Sequence, residues 1–300
     1  MINRKIVLIA GPTASGKSDF ANKIAKKHNM VIVNCDSMQQ YSPLAILTAR
    51  PTIEIQQEIE HYLYGYLNYD EISSVGRWYN DVRFLLHDKL KNKNIVFVGG
   101  TGLYFRALEG GLSAIPDIDA KLRQKWRKML SEIGSIELHK ILQTLDNPIS
   151  KIIKNTDGQR IVRALEVKES TEKSLLYWQS KKGDNLIKDF SIKRYLFMPE
   201  RDYLTSLIEK RLNIMLQHGV IQEVEDFLTL NVPSDSPLTK VIGVEEIKLF
   251  LQKKIDKLSM IELIIKKTRN YAKRQQTWFN NQLDDQWQRI ENSSNLVTII

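Results

Sequence analysis

One loop constrains this chain more than any other stretch. Residues 5–10, KIVLIA, have the apolar run of a fully buried strand, and residues 17–28 carry Phe20, Ala21, Ile24 and Ala25 on one helical side. Between them lies Gly11-Pro12-Thr13-Ala14-Ser15-Gly16-Lys17-Ser18. Two glycines five apart let backbone N–H groups converge on phosphate oxygens, and the start of the helix adds its dipole. Lys17 is expected to neutralise the terminal phosphate, and Ser18 to offer its hydroxyl to Mg²⁺, the expected cofactor. A strand, loop and helix of this kind require a sheet that buries the strand on both faces.

The rest of the chain supplies such a sheet. VIVN at 31–34, IVFV at 95–98 and IKRYLFM at 192–198 read as further strands, with a helix expected at 76–91. The expected fold class is α/β: a P-loop parallel-sheet core with a helical insertion domain and a helical C-terminal region. Residues 1–112 and 190–300 are assigned to the core, and 113–189 to the insertion, with helices at 119–132, 135–144 and 158–169. C-terminal helices are expected at 201–217, 220–230, 239–252 and 258–280. Asp36 and Thr101 both follow strands, so they should share an edge with the phosphate loop. Tyr62, Tyr64 and Tyr66 alternate and suggest one face of a short strand.

Composition narrows the partner more than the fold. With 44 basic against 35 acidic residues the net charge is +9, which favours an acidic partner such as nucleic acid, or else reflects a lysine-rich surface. Cys35 is the single cysteine, read as a small buried hydrophobe, so internal disulfides are excluded and a reducing cytoplasm fits. The five histidines show no metal-ligand spacing. No stretch of about 20 apolar residues is present, so no membrane span is expected. The first apolar run leads directly into the phosphate loop and reads as a strand rather than a signal peptide. A monomer is the default.

A kinase or hydrolase with this loop needs a second carboxylate for magnesium at a strand end. IVFV is followed instead by Gly99-Gly100-Thr101-Gly102, and Asp36 is the only carboxylate at a nearby strand end. Asp36 either caps a turn, serves the metal, or accepts a proton from a nucleophile attacking beside a diphosphate.

Five segments, GPTASGKS, DSMQQY, VGGTGLY, DGQRIVRALEV and KRQQTWF, stand in this order between residues 11 and 279. In order and spacing they resemble the tRNA dimethylallyltransferase (tRNA isopentenyltransferase) family. The resemblance implies transfer of a dimethylallyl group from dimethylallyl diphosphate to N6 of the adenine just 3′ of the anticodon, in tRNAs reading codons that begin with U. It implies a diphosphate cradle at Thr13 to Ser18, within the loop opened by Gly11 and Pro12, and a second clamp at Arg211. Asp36 matches a general base, Ser37, Met38 and Gln39 complete an adenine-contacting segment, and Thr101 lines the channel where the substrates meet. Contacts to tRNA, in the anticodon stem-loop, are implied for Arg123, for Gln159, Arg160, Ile161, Val162 and Arg163, for Lys240 and Gly243, and for Lys273, Arg274 and Gln275.

Three positions depart from the family pattern. Leu207-Ile208 stands where an arginine-isoleucine pair is usual, Gly243-Val244 replaces a glycine-tyrosine pair, and DGQR replaces Asp-Pro-Gln-Arg. Two basic stretches, KLRQKWRK at 121–128 and KKTRNYAKRQQTWF at 266–279, interleave cations with Trp126, Tyr271 and Trp278. They suit phosphate contacts and stacking on unpaired bases, or else solvated helix faces with inward aromatics, Trp278 packing under Arg274. The competing functions are a P-loop kinase of a small molecule or nucleotide, a prenyltransferase of free adenine nucleotides, and a non-catalytic RNA-binding protein.

Overall fold

The computed structural model describes residues 4–113, 115–181, 183–233 and 236–291. Six strands form one sheet: β1 (Lys5–Ala10), β2 (Val31–Asn34), β3 (His61–Tyr62), β4 (Ile95–Gly99), β5 (Ser191–Phe197) and β6 (Gln288–Ile290), in the order β3-β2-β4-β1-β5-β6. Every pairing is parallel, with Val7 opposite Val96 on one side and Lys193 on the other. Strand β1 lies at the centre. Its Val7 and Ile9 pack with Phe20, Ala21 and Ile24 of the helix α1 (Lys17–His28), while Ile6 and Leu8 face the opposite side and are also buried. Phe20 sits against Tyr195 and Phe197, ring centroids 5.4 and 5.3 Å away, so the helix leaving the phosphate loop is anchored onto β5. In an all-parallel sheet every strand ends at the same edge. The loop after β1, Asp36 after β2 and Thr101 after β4 therefore share one edge.

Two compact units divide the chain. One comprises residues 1–109 with 186–300, the other residues 110–185. The first holds the sheet, α1, α2 (Ile53–Glu58), α3 (Val75–His87) and α4 (Gly102–Gly110). The second contains α5 (Ala120–Leu145), α6 (Asn147–Ser150), α7 (Gly158–Thr171) and α8 (Leu175–Gln179). In it Trp126, Leu138, Leu142, Ile161 and Leu165 join α5 to α7 in a core of their own. The first unit resumes with α9 (Arg201–Gln217), α10 (Val220–Thr229), α11 (Val244–Leu251) and α12 (Lys257–Gln282). None of the helices described is long and apolar enough to cross a membrane.

Several elements differ from the sequence expectation. Helix α4 is additional to the helices expected from the sequence, and Tyr104, Phe105 and Leu108 bury at helical spacing between the glycines at its ends. The helix expected over 239–252 is split: a 3₁₀ turn at Pro237–Lys240 and α11 are separated at Gly243, whose φ of 110° no helix tolerates. The alternating tyrosines do not share a strand face. The chain turns at Leu63 (φ 62°), which ends β3 at Tyr62 and sends Tyr64 onto the core around β1. The pair of helices expected at 119–132 and 135–144, by contrast, is present: Gly134, with φ 77° and ψ 170°, is non-helical and separates them within Ala120–Leu145.

Candidate active site

Gly16 caps α1 in the left-handed region, φ 83°, a backbone conformation that glycine adopts without steric cost. Lys17 is almost fully buried and donates from Nζ to the Pro12 carbonyl at 3.0 Å. Burial pulls its pKa down to about 8, opposed by the Asp36 carboxylate and assisted by the Arg211 guanidinium. Arg211, on α9, reaches the loop and donates from Nη1 to Thr13 Oγ1 at 2.7 Å. Desolvation lowers its pKa to about 10, with Asp36 again opposing. Two desolvated cations beside a single carboxylate leave positive charge that a bound anion would balance. The Ser15 hydroxyl, buried in the same loop with no hydrogen-bond partner among the described residues, supplies a donor for that anion.

Asp36 is held by its neighbours on β2. The buried Asn34 accepts the Asp36 N–H at 2.8 Å and donates from Nδ2 to the Asp36 and Leu63 carbonyls, both at 2.9 Å. Asp36 Oδ1 accepts the Met38 N–H at 3.0 Å, and Oδ2 takes no hydrogen bond from the described residues. One carboxylate oxygen thus fixes the turn and the other stays available. Thr101 braces this turn rather than lining the cavity: its Oγ1 accepts the Ser37 N–H at 3.0 Å, and its own N–H donates to the Cys35 carbonyl at 3.0 Å. Gln39 also turns away from a ligand role, since Nε2 donates to the Thr48 and Ala49 carbonyls at 2.8 and 3.0 Å.

A cavity of about 380 Å³ opens at this edge. Thr13, Asp36 and Arg211 form its polar end, while Leu47, Ile208, Met215 and Ile264 give it an apolar wall. On α9, Ile208, Arg211, Leu212 and Met215 fall on one face, so the helix presents its cation between apolar side chains. The size and the few convergent polar groups are those of a small-molecule site. Ile208 lines the cavity and Leu207 does not, so the departure at 207 leaves this wall unaltered. Cys35 is buried beside the site, and desolvation raises its thiol pKa, as an inert hydrophobe requires.

The residues assigned to tRNA contacts separate into two groups. Arg123, Gln159 and Arg160 are exposed and Arg163 half-exposed on the insertion unit, whereas Lys240, Lys273 and Arg274 are exposed on the first unit. Lys240 and Arg274 line the cavity with Tyr271. Ile161 and Val162 do not belong with them: both are buried in the α5–α7 core, because their places on α7 face α5. Trp126 is buried there too and presents no stacking face. Gly243 is buried, with its N–H held by Glu246 Oε2 at 2.9 Å and Leu47 packed where a Cβ would stand. Gln275 is buried and bonds to the phosphate loop. The Arg274 guanidinium lies over Tyr271, 5.7 Å from the ring centroid, and Trp278 packs on Gly102 instead.

Sequence reasoning misses two residues that shape the site. Asn34 is one; Glu223 is another, accepting the Ile46 and Leu47 N–H groups at 2.7 and 2.9 Å and so holding the cavity wall. Gln275, which the family resemblance assigns to tRNA, is buried against the phosphate loop. A polar residue ending an otherwise apolar strand is the one signal that marks Asn34; nothing local marks Glu223.

Comparison with known proteins agrees with this architecture. The family model described as IPP transferase matches residues 39–282. A tRNA dimethylallyltransferase of Bartonella henselae is 46% identical over 287 residues, covering 96% of this chain and 99% of the relative. That of Sinorhizobium medicae is 43% identical over 286 residues, 95% and 94% of the two chains. The solved structure of a Bacillus halodurans tRNA isopentenylpyrophosphate transferase superposes with a TM-score of 0.66 at 26% identity, covering 99% of this chain and 94% of that one. A eukaryotic dimethylallyltransferase acting on tRNA shares the fold, with a TM-score of 0.76 at 24% identity over 92% of this chain and 70% of that one. With a phosphate loop, a facing aspartate and relatives matched along nearly its whole length, this chain belongs to the tRNA dimethylallyltransferase family.

Proposed function

We propose that this protein transfers the dimethylallyl group of dimethylallyl diphosphate to N6 of the adenine 3′ of the anticodon, in tRNAs reading U-starting codons, and releases diphosphate. The observation that carries this is the cavity itself, lined by Arg211 and by Asp36, whose Oδ2 takes no hydrogen bond among the described residues, with the buried Lys17 electrostatically coupled to both. The allylic C–O bond breaks as the N6–C bond forms, and the electron pair leaves on the diphosphate. Lys17, Arg211 and the loop amides stabilise that developing charge. The exocyclic amine is a poor nucleophile because its lone pair is delocalised into the ring. Asp36 orients it and accepts its proton. The base must leave its stack to enter the cavity, so a flipped nucleotide is expected.

Magnesium fits the donor set as a partner of the diphosphate. No cluster of three His, Cys, Asp or Glu able to hold a metal occurs among the described residues. Mg²⁺ takes few protein oxygens and relies on waters and substrate phosphates, for which the exposed Ser18 hydroxyl suffices. Bound there, it would add positive charge at the leaving group. The exposed cations of the insertion unit and of α12 are the surfaces we assign to RNA phosphates. We place the enzyme in the cytoplasm, where Cys35 stays reduced.

The deciding assay incubates the protein with dimethylallyl diphosphate, Mg²⁺ and an unmodified anticodon stem-loop carrying consecutive adenines. The expected product is a mass gain of one C5 unit on a single base. Equal transfer to free adenine nucleotides would make the enzyme an adenylate prenyltransferase, and phosphoryl transfer from ATP would make it a kinase. A related expectation concerns Lys273 and Arg274, which have no carboxylate in ion-pair reach among the described residues. Replacing both with alanine should weaken stem-loop binding and lower the slope of log K against log salt by about 2, roughly one per phosphate contact. Filter-binding titrations across salt concentrations read this directly; an unchanged slope would put the RNA elsewhere.

A further inference from the structure

Gln275 sits on α12 between the exposed Arg274 and the half-buried Gln276, yet it is itself only 7% exposed. Its amide leaves the helix entirely. Oε1 accepts the Thr13 N–H at 2.8 Å, and Nε2 donates to the Gly100 carbonyl at 2.8 Å. Thr13 belongs to the phosphate loop after β1, and Gly100 to the turn after β4. A methyl group on Gly100 would lie 2.4 Å from Gln275 Nε2 and 3.4 Å from Asp36 Oδ2, so the amide and the catalytic carboxylate flank the same glycine. Arg211 meanwhile holds the Thr13 hydroxyl. The loop that would carry the leaving group is thus tied by one buried amide to the turn beside the general base.

We propose that Gln275 is a positioning residue that sets the spacing between the diphosphate cradle and Asp36. The proposal rests on the transferase function above and gives Gln275 a role other than RNA contact. Burying an amide is costly unless its hydrogen bonds are made. Here both bonds go to backbone of two separate loops, and packing alone would be served by an apolar side chain. An allylic diphosphate ionises readily, so its carbon must meet N6 before it meets water. If the cradle drifts from Asp36, the C–O bond can still break and diphosphate leave. Water then forms the new C–O bond, loses a proton to solvent and yields dimethylallyl alcohol instead of prenylated base. Gln275 keeps transfer ahead of that hydrolysis.

The test uses the full-length protein with dimethylallyl diphosphate, Mg²⁺ and the anticodon stem-loop. In Gln275→Met, which keeps the length and removes both hydrogen bonds, kcat for base prenylation should fall about 10- to 100-fold, the scale of an ångström-level misplacement. The ratio of dimethylallyl alcohol to prenylated base should rise at least about 10-fold, while stem-loop Kd and donor KM stay within about 3-fold. Gln275→Glu keeps an acceptor for Thr13 but no donor for Gly100, and should also raise the alcohol ratio. A matching rise in stem-loop Kd would make Gln275 an RNA contact and overturn the proposal. A lower Tm with an unchanged alcohol ratio would overturn it as well, leaving a purely structural role. Should Gln275→Met not fold, Gln275→Asn, one methylene too short to span both loops, carries the same expectations. Wild-type prenylation of the stem-loop tests the transferase function separately, so either can fail without the other.

Discussion

Asp36→Asn should lower turnover about 10²- to 10⁴-fold, the range expected when a positioned proton acceptor is lost. Asparagine is the informative replacement because Asp36 does two jobs with two oxygens. Its Oδ1 accepts the Met38 N–H and holds the turn that also carries Ser37. An asparagine oxygen can take that bond, and the Asn34 bonds to the backbone of residue 36 are untouched. What changes is the other position, where an amide NH₂ would confront the donor N–H of the adenine amine. Stem-loop affinity should therefore stay within about two-fold while single-turnover prenylation slows. Asp36→Ala would confuse the two effects by releasing the turn. Near-normal single-turnover rates in the asparagine variant would mean that the N6 proton leaves by another route.

The sequence made the centre of this protein readable and its periphery much less so. The phosphate loop was legible because the glycine spacing, the strand before it and the helix after it are local constraints that agree. Asp36 and Thr101 could be brought to that loop by topology alone, since a parallel sheet collects its strand ends at one edge. Their division of labour could not. Whether Thr101 faces a ligand or braces Ser37 depends on a hydrogen bond between residues 64 apart. The same holds for Gln275, which directly follows the exposed cations Lys273 and Arg274 in sequence and lies 262 residues from its partner Thr13. A motif marks a segment, but burial alternates residue by residue within it. That is why Arg160 is exposed beside Ile161 and Val162, which a helix turns inward. Helix α4 is bounded by glycines, and only the apolar spacing of Tyr104, Phe105 and Leu108 between them marks it.

Lys17 should impose a pH dependence on donor binding above about pH 8. In the free protein its ammonium titrates near 8, because burial removes water that would solvate the charge. A bound diphosphate favours the charged form, so the pKa of Lys17 is higher in the complex than in the free enzyme. Binding therefore takes up a proton at pH values above about 8. Donor affinity must fall as pH rises through that value, with log Kd climbing toward one unit per pH unit until the pKa of the complex is passed. Below about 8 the lysine is already charged and contributes no slope, and phosphate ionisation enters only near ~6. Arg211, held near 10, stays cationic over most of this window. Lys17→Met should abolish the slope. It should also lower turnover about 10²- to 10³-fold, the scale of removing one preorganised donor from a developing anion. Calorimetric titration of a non-reactive thiolodiphosphate analogue at pH 7, 8 and 9 separates the two enzymes. A flat wild-type profile would mean that Lys17 does not meet the diphosphate, and the charge released on C–O cleavage would then fall to Arg211 and the loop amides.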